Sequence, residues 1–265
     1  MSKLTHVMIV WLVTAMLTTA PVRAQEDLAK ESQNPIGNII SLPFENNFDF
    51  GVGTEDAFVY ALNLKPVYPV NLGDLNLINR AILPVIYQEE RFKGEGTEFG
   101  LGNFTYQAFF SPAKPGKIIW GGGAALVFPT SSDDRLGVDK WSAGPAFIAL
   151  AKPGPWLFGA LVQNVWSYAG DDDAPDVNSF SFQYFINYNI KGGWYVSSTP
   201  TITANWEADS TDETWTVPVG GGVGRLVRFG KLPVDLKLQG FWNVEKPTDA
   251  ADWCIQFQVK FLFPK

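Results

Sequence analysis

The chain has 265 residues and a formal net charge of −7, a balance that argues against binding nucleic acid by phosphate neutralisation. Its 20 Phe, 10 Trp, 8 Tyr and 25 Gly, with few Met and no long amphipathic helical stretch, favour strands over helices. His6 is the one histidine and Cys254 the one cysteine, so no intrachain disulfide and no thiolate zinc cluster can form.

Lys3 and His6 precede an apolar run from Val7 to Leu17, and the segment closes on Val22-Arg23-Ala24, small or short residues where a signal peptidase reads. Residues 1–24 therefore read as a secretory signal cleaved after Ala24. A membrane anchor fits less well, because a helix needs about 20 apolar residues to span a bilayer. Cleavage removes His6, and with it the usual general base and commonest metal ligand. Residues 25–36 are polar and read as a loose periplasmic leader.

From residue 37 onward the pattern changes to alternating or near-continuous apolar segments separated by turn signals. Twelve strands are expected, over 37–51, 57–71, 74–87, 99–111, 117–129, 140–151, 155–169, 177–190, 193–207, 214–229, 232–245 and 252–263. Gly121-Gly122-Gly123 and Gly220-Gly221-Gly222 sit inside strands, which speaks for close backbone approach or a sharp bend rather than a phosphate cradle. Alternation is clearest late in the chain, where Phe180, Phe182, Tyr184 and Ile186 oppose Ser179, Ser181 and Gln183. The eighth and ninth strands thereby offer mostly hydroxyls and amides on their polar face.

The connections are of two kinds. Short links rich in Gly, Pro and Lys, such as SPAKPGK, AKPGP, IKGG and RFGKLP, alternate with mostly longer acidic ones, such as QEERFKGEGTEFG, TSSDDRLGVDK and AGDDDAPD. That threading predicts an all-β fold, a closed antiparallel up-and-down transmembrane β-barrel of about 12 strands over residues 37–265, with its turns in the periplasm and its loops outside. Phe58, Tyr60, Tyr87, Trp120, Trp141, Trp156, Trp166, Tyr168, Trp194, Trp206, Trp215 and Trp253 cluster near strand ends, as two interfacial girdles require. In the last strand, IQFQVKFLF, the Phe257, Val259, Phe261 and Phe263 face meets lipid and the Gln256, Gln258 and Lys260 face meets the lumen. Cys254 falls on that same polar face, where burial rather than reactivity is expected.

The stretches NPIGNIISLPFENNFDFG, ILPVIYQ, FFSPAKPGKIIWGGG, KWSAGPAFIAL, GPWLFGALVQNVWSYAGD, ITANWEADS, WTVPVGGGVG and FQVKFLFPK resemble a family of bacterial outer-membrane proteins associated with the meta-pathway of phenol degradation, described as transporters. The resemblance covers nearly all of the chain after residue 24, and its motifs are strand and turn motifs. It implies a barrel in the outer membrane that passes small hydrophobic or aromatic compounds, and it implies no catalytic residue. Its partners are then outer-membrane lipid and lipopolysaccharide, the outer-membrane assembly machinery and a small-molecule solute, with no cofactor.

Turning the polar faces inward gives the lumen candidates: Glu45 and Asp49 on the first strand, Lys65 on the second, Arg80 on the third, Asp235, Lys237 and Glu245 on the eleventh, and Lys260 on the twelfth. In a closed barrel these strands adjoin, so the charges crowd one wall, either as a solute path or as ion pairs that hold the barrel in shape. Lys65, Arg80, Lys237 and Lys260 are expected at similar depth in the periplasmic half, which favours anions in transit. Two other functions compete with a channel. A membrane hydrolase would have to work with Asp- or Lys-based chemistry, without an imidazole. A structural or adhesive protein would use its acidic loops, where Asp171, Asp172, Asp173 and Asp176 offer hard oxygen ligands for a divalent cation without EF-hand spacing.

Overall fold

The computed structural model describes residues 22–264. The expected secretory segment lies outside the described residues up to residue 21. The chain enters in helix α1, Val22–Ser32, so the polar stretch expected as a loose leader is helical instead. Good helix formers run from Gln25 to Glu31, and the turn is closed by Ser32 Oγ donating to the Ala29 carbonyl at 2.7 Å. Pro35 then forbids continuation.

Strands follow in the expected order: β1 (Ile40–Val52), β2 (Ala57–Leu64 and Val67–Asn71), β3 (Leu75–Gln88), β4 (Glu98–Leu101 and Phe104–Pro112), β5 (Ile118–Phe128) and β6 (Lys140–Ala151). Then come β7 (Trp156–Gly170), β8 (Asn178–Asn189), β9 (Trp194–Ser198 and Thr201–Asn205), β10 (Trp215–Phe229), β11 (Leu232–Glu245) and β12 (Trp253–Phe263). Each pairs antiparallel with its sequence neighbours, and β12 pairs back onto β1 from Ile40↔Phe263 to Phe50↔Trp253, closing a 12-stranded barrel. Interruptions in β2 and β9 fall at Lys65-Pro66 and Thr199-Pro200, where proline has no N–H for the ladder. The short turns, 72–74, 113–117, 152–155, 190–193 and 230–231, gather with α1 at one end, which in barrels of this kind is the periplasmic one.

The outward face is apolar and exposed around the barrel, including Phe147, Val219, Leu238, Trp242 and Phe257. A soluble domain does not leave so continuous an apolar belt to water, whereas a bilayer requires it. Trp120, Trp156 and Trp194 open strands at the short-turn end, and Trp141, Trp166, Tyr168, Trp206 and Trp253 lie near the loop end, all exposed. These are the two girdles. Phe50 and Trp253 stack at 4.1 Å in the second of them, across the closing seam.

The interior differs from expectation. The polar-face rule applied to every strand foresees a hydrophilic lumen, yet Ile78, Phe109, Ile148, Leu157, Leu161 and Phe185 point inward from β3, β4 and β6–β8 and form a buried apolar cluster with Ile36. β5–β7 are therefore largely apolar on both faces, and their near-continuous apolar runs conceal which residues face in.

Candidate functional site

The cavity that remains lies between this apolar half and the wall formed by β11, β12, β1, β2 and β3. It measures about 110 Å³. Lys65, Arg80, Lys237, Lys260, Glu45 and Asp235 all border it, so six of the eight charged residues expected in the lumen come together. Register explains why. Asp235 pairs with Lys260, Lys260 with Pro43, Lys237 with Gln258 and Gln258 with Glu45, while Arg80 pairs with Val67 on the neighbouring pair of strands. The remaining two lie elsewhere: Asp49 faces inward opposite Cys254 nearer the loop end, and Glu245 ends β11 exposed at the rim, next to a register shift.

Within the cavity the charges are unequally partnered. Lys65 forms an ion pair with Glu45. Lys237 Nζ donates to Thr199 Oγ1 at 3.0 Å and Lys260 Nζ to the Ser32 carbonyl at 2.9 Å. Arg80 lies 6.0 Å over the Phe109 ring, and its buried Nη1 has no hydrogen-bond partner among the described residues. Asp235 accepts from the Tyr195 hydroxyl at 2.8 Å. Among the described residues, Arg80, Lys237 and Lys260 thus have no carboxylate within 4.0 Å. Four cations face three carboxylates, Glu45, Asp235 and Glu31, the last paired with Lys152 outside the cavity, and Val67, Phe185 and Leu262 complete the wall. The site is a small amphipathic pocket with surplus positive charge.

Tyr195 and Thr199 are among the hydroxyl residues on the polar face of the ninth strand as expected over 193–207. Both reach β11 by crossing β10, and glycine permits it: a Cβ at Gly224 would lie 2.1 Å from the Tyr195 ring. Tyr195 pairs with Gly224 and Ser197 with Gly222. The signal was present as G-x-G-x-G over Gly220, Gly222 and Gly224, a period of two that strips one face of side chains.

The floor of the cavity is the end of α1 and the segment after it. Glu31, Asn34 and Gly37 border it. The helix is tied to the short turns: Lys30 Nζ donates to the carbonyls of Lys152, at 2.9 Å, and Gly154, and Glu31 pairs with Lys152. Gln25 donates to the Leu226 carbonyl at 2.8 Å and Gln33 to Asn189 Oδ1 at 2.8 Å. Ala29 packs beneath Leu226 and Leu262. Desolvation in the mouth, followed by the charge of Lys152, lowers the Lys30 pKa below that of a free lysine.

In the loops, Asp171 Oδ1 accepts from the Asp173 amide at 2.9 Å, Asp176 lies 3.4 Å from Lys140, and Asp172 is exposed. Among the described residues no three carboxylate, cysteine or histidine side chains come together to hold a metal ion. Charged side chains pair instead within the loops 89–97 and 129–139 and between the second loop and β4. Arg135 contacts Asp133 at 2.8 Å and pairs with Glu98 on β4, while Arg91 contacts Glu95 at 2.8 Å.

No family model and no curated protein sequence matches the chain. Among solved structures, the chain is similar to the COG4313 outer membrane channel from Pseudomonas putida F1, with a TM-score of 0.65 and 16% identity over 85% of this chain and 94% of that one. The fold is that of an outer-membrane barrel. A second likeness, to the NanC porin, has a TM-score of 0.54 and 9% identity over 84% of this chain and all of the other. At such identities the likeness carries the architecture, and what the lumen does rests on its own residues.

Proposed function

We propose that the protein is a passive outer-membrane channel for small organic anions, with an apolar part of the solute seated against Phe185 and Val67 and its charge against Arg80 and Lys237. The observation that carries the reading is the guanidinium of Arg80, which borders the cavity and whose buried Nη1 has no partner among the described residues. An ion kept out of water needs partners, and a passing anion supplies one. The channel architecture of the two similar structures supports the reading, as does the resemblance to a family of transporters for aromatic compounds. Phenolates and aromatic carboxylates are the solutes whose chemistry fits both walls.

Planar-bilayer recording in a salt gradient tests it. The wild-type reversal potential should lie on the anion side, and Lys237→Gln together with Arg80→Gln should move it toward cations. Unaltered selectivity with a large loss of thermal stability would refute transport through this belt and leave the charges a structural role.

A further inference from the structure

The membrane face of β7–β10 holds a groove of about 500 Å³, lined by Trp156, Ile186, Tyr188, Val196, Gly221 and Val223. Sites for small molecules span roughly 300–1,000 Å³. Its floor is bare because Gly221 faces lipid where β9 and β10 approach closely: a Cβ there would lie 2.7 Å from the Ser197 carbonyl. Next to it, Gly240 is paired with Gly221 and a Cβ there would meet open space.

Four residues along β10 toward the periplasmic end, on the same outward face, stands Arg225. It is exposed and lies 4.8 Å over the ring of Trp194, its partner across the ladder. Leu236 is its other cross-strand neighbour, and Val223 and Val227 flank it along the strand. Among the described residues no carboxylate lies within 4.0 Å of it. A cation on this face is tolerated near the interface and penalised deeper in the bilayer. Lys191 and Lys231 stand on the short turns that precede β9 and follow β10.

We infer that this face binds one anionic glycerophospholipid of the periplasmic leaflet. Its phosphodiester sits on Arg225, its glycerol backbone beside Trp194, and one acyl chain runs over Val223 into the groove at Gly221. Four strand residues span about 13 Å, which is the run from a lipid phosphate to the middle of its chain. The lysines on the flanking turns add attraction for an anionic over a zwitterionic headgroup. The site is independent of what crosses the lumen.

Native mass spectrometry of the full-length protein in detergent tests this, with dioleoylphosphatidylglycerol as the probe and dioleoylphosphatidylcholine and lipid A as competitors. One phosphatidylglycerol should be retained in preference to both. Arg225→Gln should lower its occupancy about fivefold, the loss expected for one cation at a lipid surface, and Arg225→Lys should restore most of it. Val196→Trp leaves Arg225 intact and fills the groove, so it should release phosphatidylglycerol and phosphatidylcholine alike. Both positions are exposed on the lipid face, and unchanged heat-modifiable gel migration of each variant confirms a folded barrel. Phosphatidylglycerol retention unaffected by Arg225→Gln, or preferential retention of phosphatidylcholine or lipid A, would overturn the inference.

Discussion

Two charged residues on the same wall have opposite dependence on their neighbours. Glu45 is 7% exposed and is the partner of Lys65. Replacing it with Gln strands an ammonium away from bulk water, and breaking a largely buried pair from one side costs about 3 kcal/mol. Lys237 gives its hydrogen bond to a hydroxyl, and losing one such charged bond costs about 1.5 kcal/mol. Glu45→Gln should therefore lower the temperature at which the barrel loses its compact gel form by clearly more than Lys237→Gln does. Equal shifts would mean that the Glu45–Lys65 pair is hydrated and contributes little. The third cation, Arg80, has neither kind of partner at Nη1, which is why the transport reading rests on it.

The element that couples the loop end is Arg135, which reaches from the loop 129–139 to Glu98 on β4 and donates to the Glu95 carbonyl at 2.8 Å. Arg135 donates to Asp133 and holds its carboxyl at about 2, below the ordinary 3.8, and Arg91 likewise depresses Glu95. A carboxyl lowered in the folded state stabilises above its unfolded value, and that stabilisation is lost as pH falls through the folded one. The hold of Arg135 on Asp133 within the loop 129–139 should thus be full at pH 5 and be lost between about pH 4 and pH 2. A nitroxide at Asp134→Cys in a Cys254→Ser background reads this as increased label mobility, and mobility constant to pH 2 would contradict it. At this scale the sequence was most legible. Turn chemistry and period-two alternation gave all the strands of the barrel to within a few residues, and the charged wall followed because β11, β12 and β1 alternate cleanly. Three things were hidden. The inward apolar cluster lies largely on β5–β7, where no alternation marks a side, and Phe109 and Phe185 interrupt inward faces that are otherwise polar. Tyr195 reaches Asp235 only across a glycine-stripped strand. The helicity of α1 depends on a mouth into which its polar side chains can hydrogen-bond, a tertiary setting that a polar stretch does not announce.

For the whole molecule, α1 and the segment behind it decide how wide the path is. The barrel closes through the β1–β12 seam without them, so they are a stopper rather than part of the wall. A cavity of 150 Å³ admits benzene in a protein core, and the one above this floor is about 110 Å³. An aromatic anion therefore needs the floor to give way. Polar contacts hold it down: those of Lys30 and Glu31 to the turn at Lys152, of Gln33 to Asn189, and of Lys260 to Ser32. Most of these are partly exposed, and such bonds contribute about 1 kcal/mol or less each. Deleting residues 25–35 should leave heat-modifiable migration intact and raise single-channel conductance several-fold, because the narrowest section becomes the barrel wall itself. Glu31→Gln with Gln33→Ala, which weakens two anchors without removing the helix, should give brief openings to that same larger level. Conductance unchanged by the deletion would show that the constriction lies among Ile78, Phe109 and Phe185 instead, and that the N-terminal segment does not limit flow.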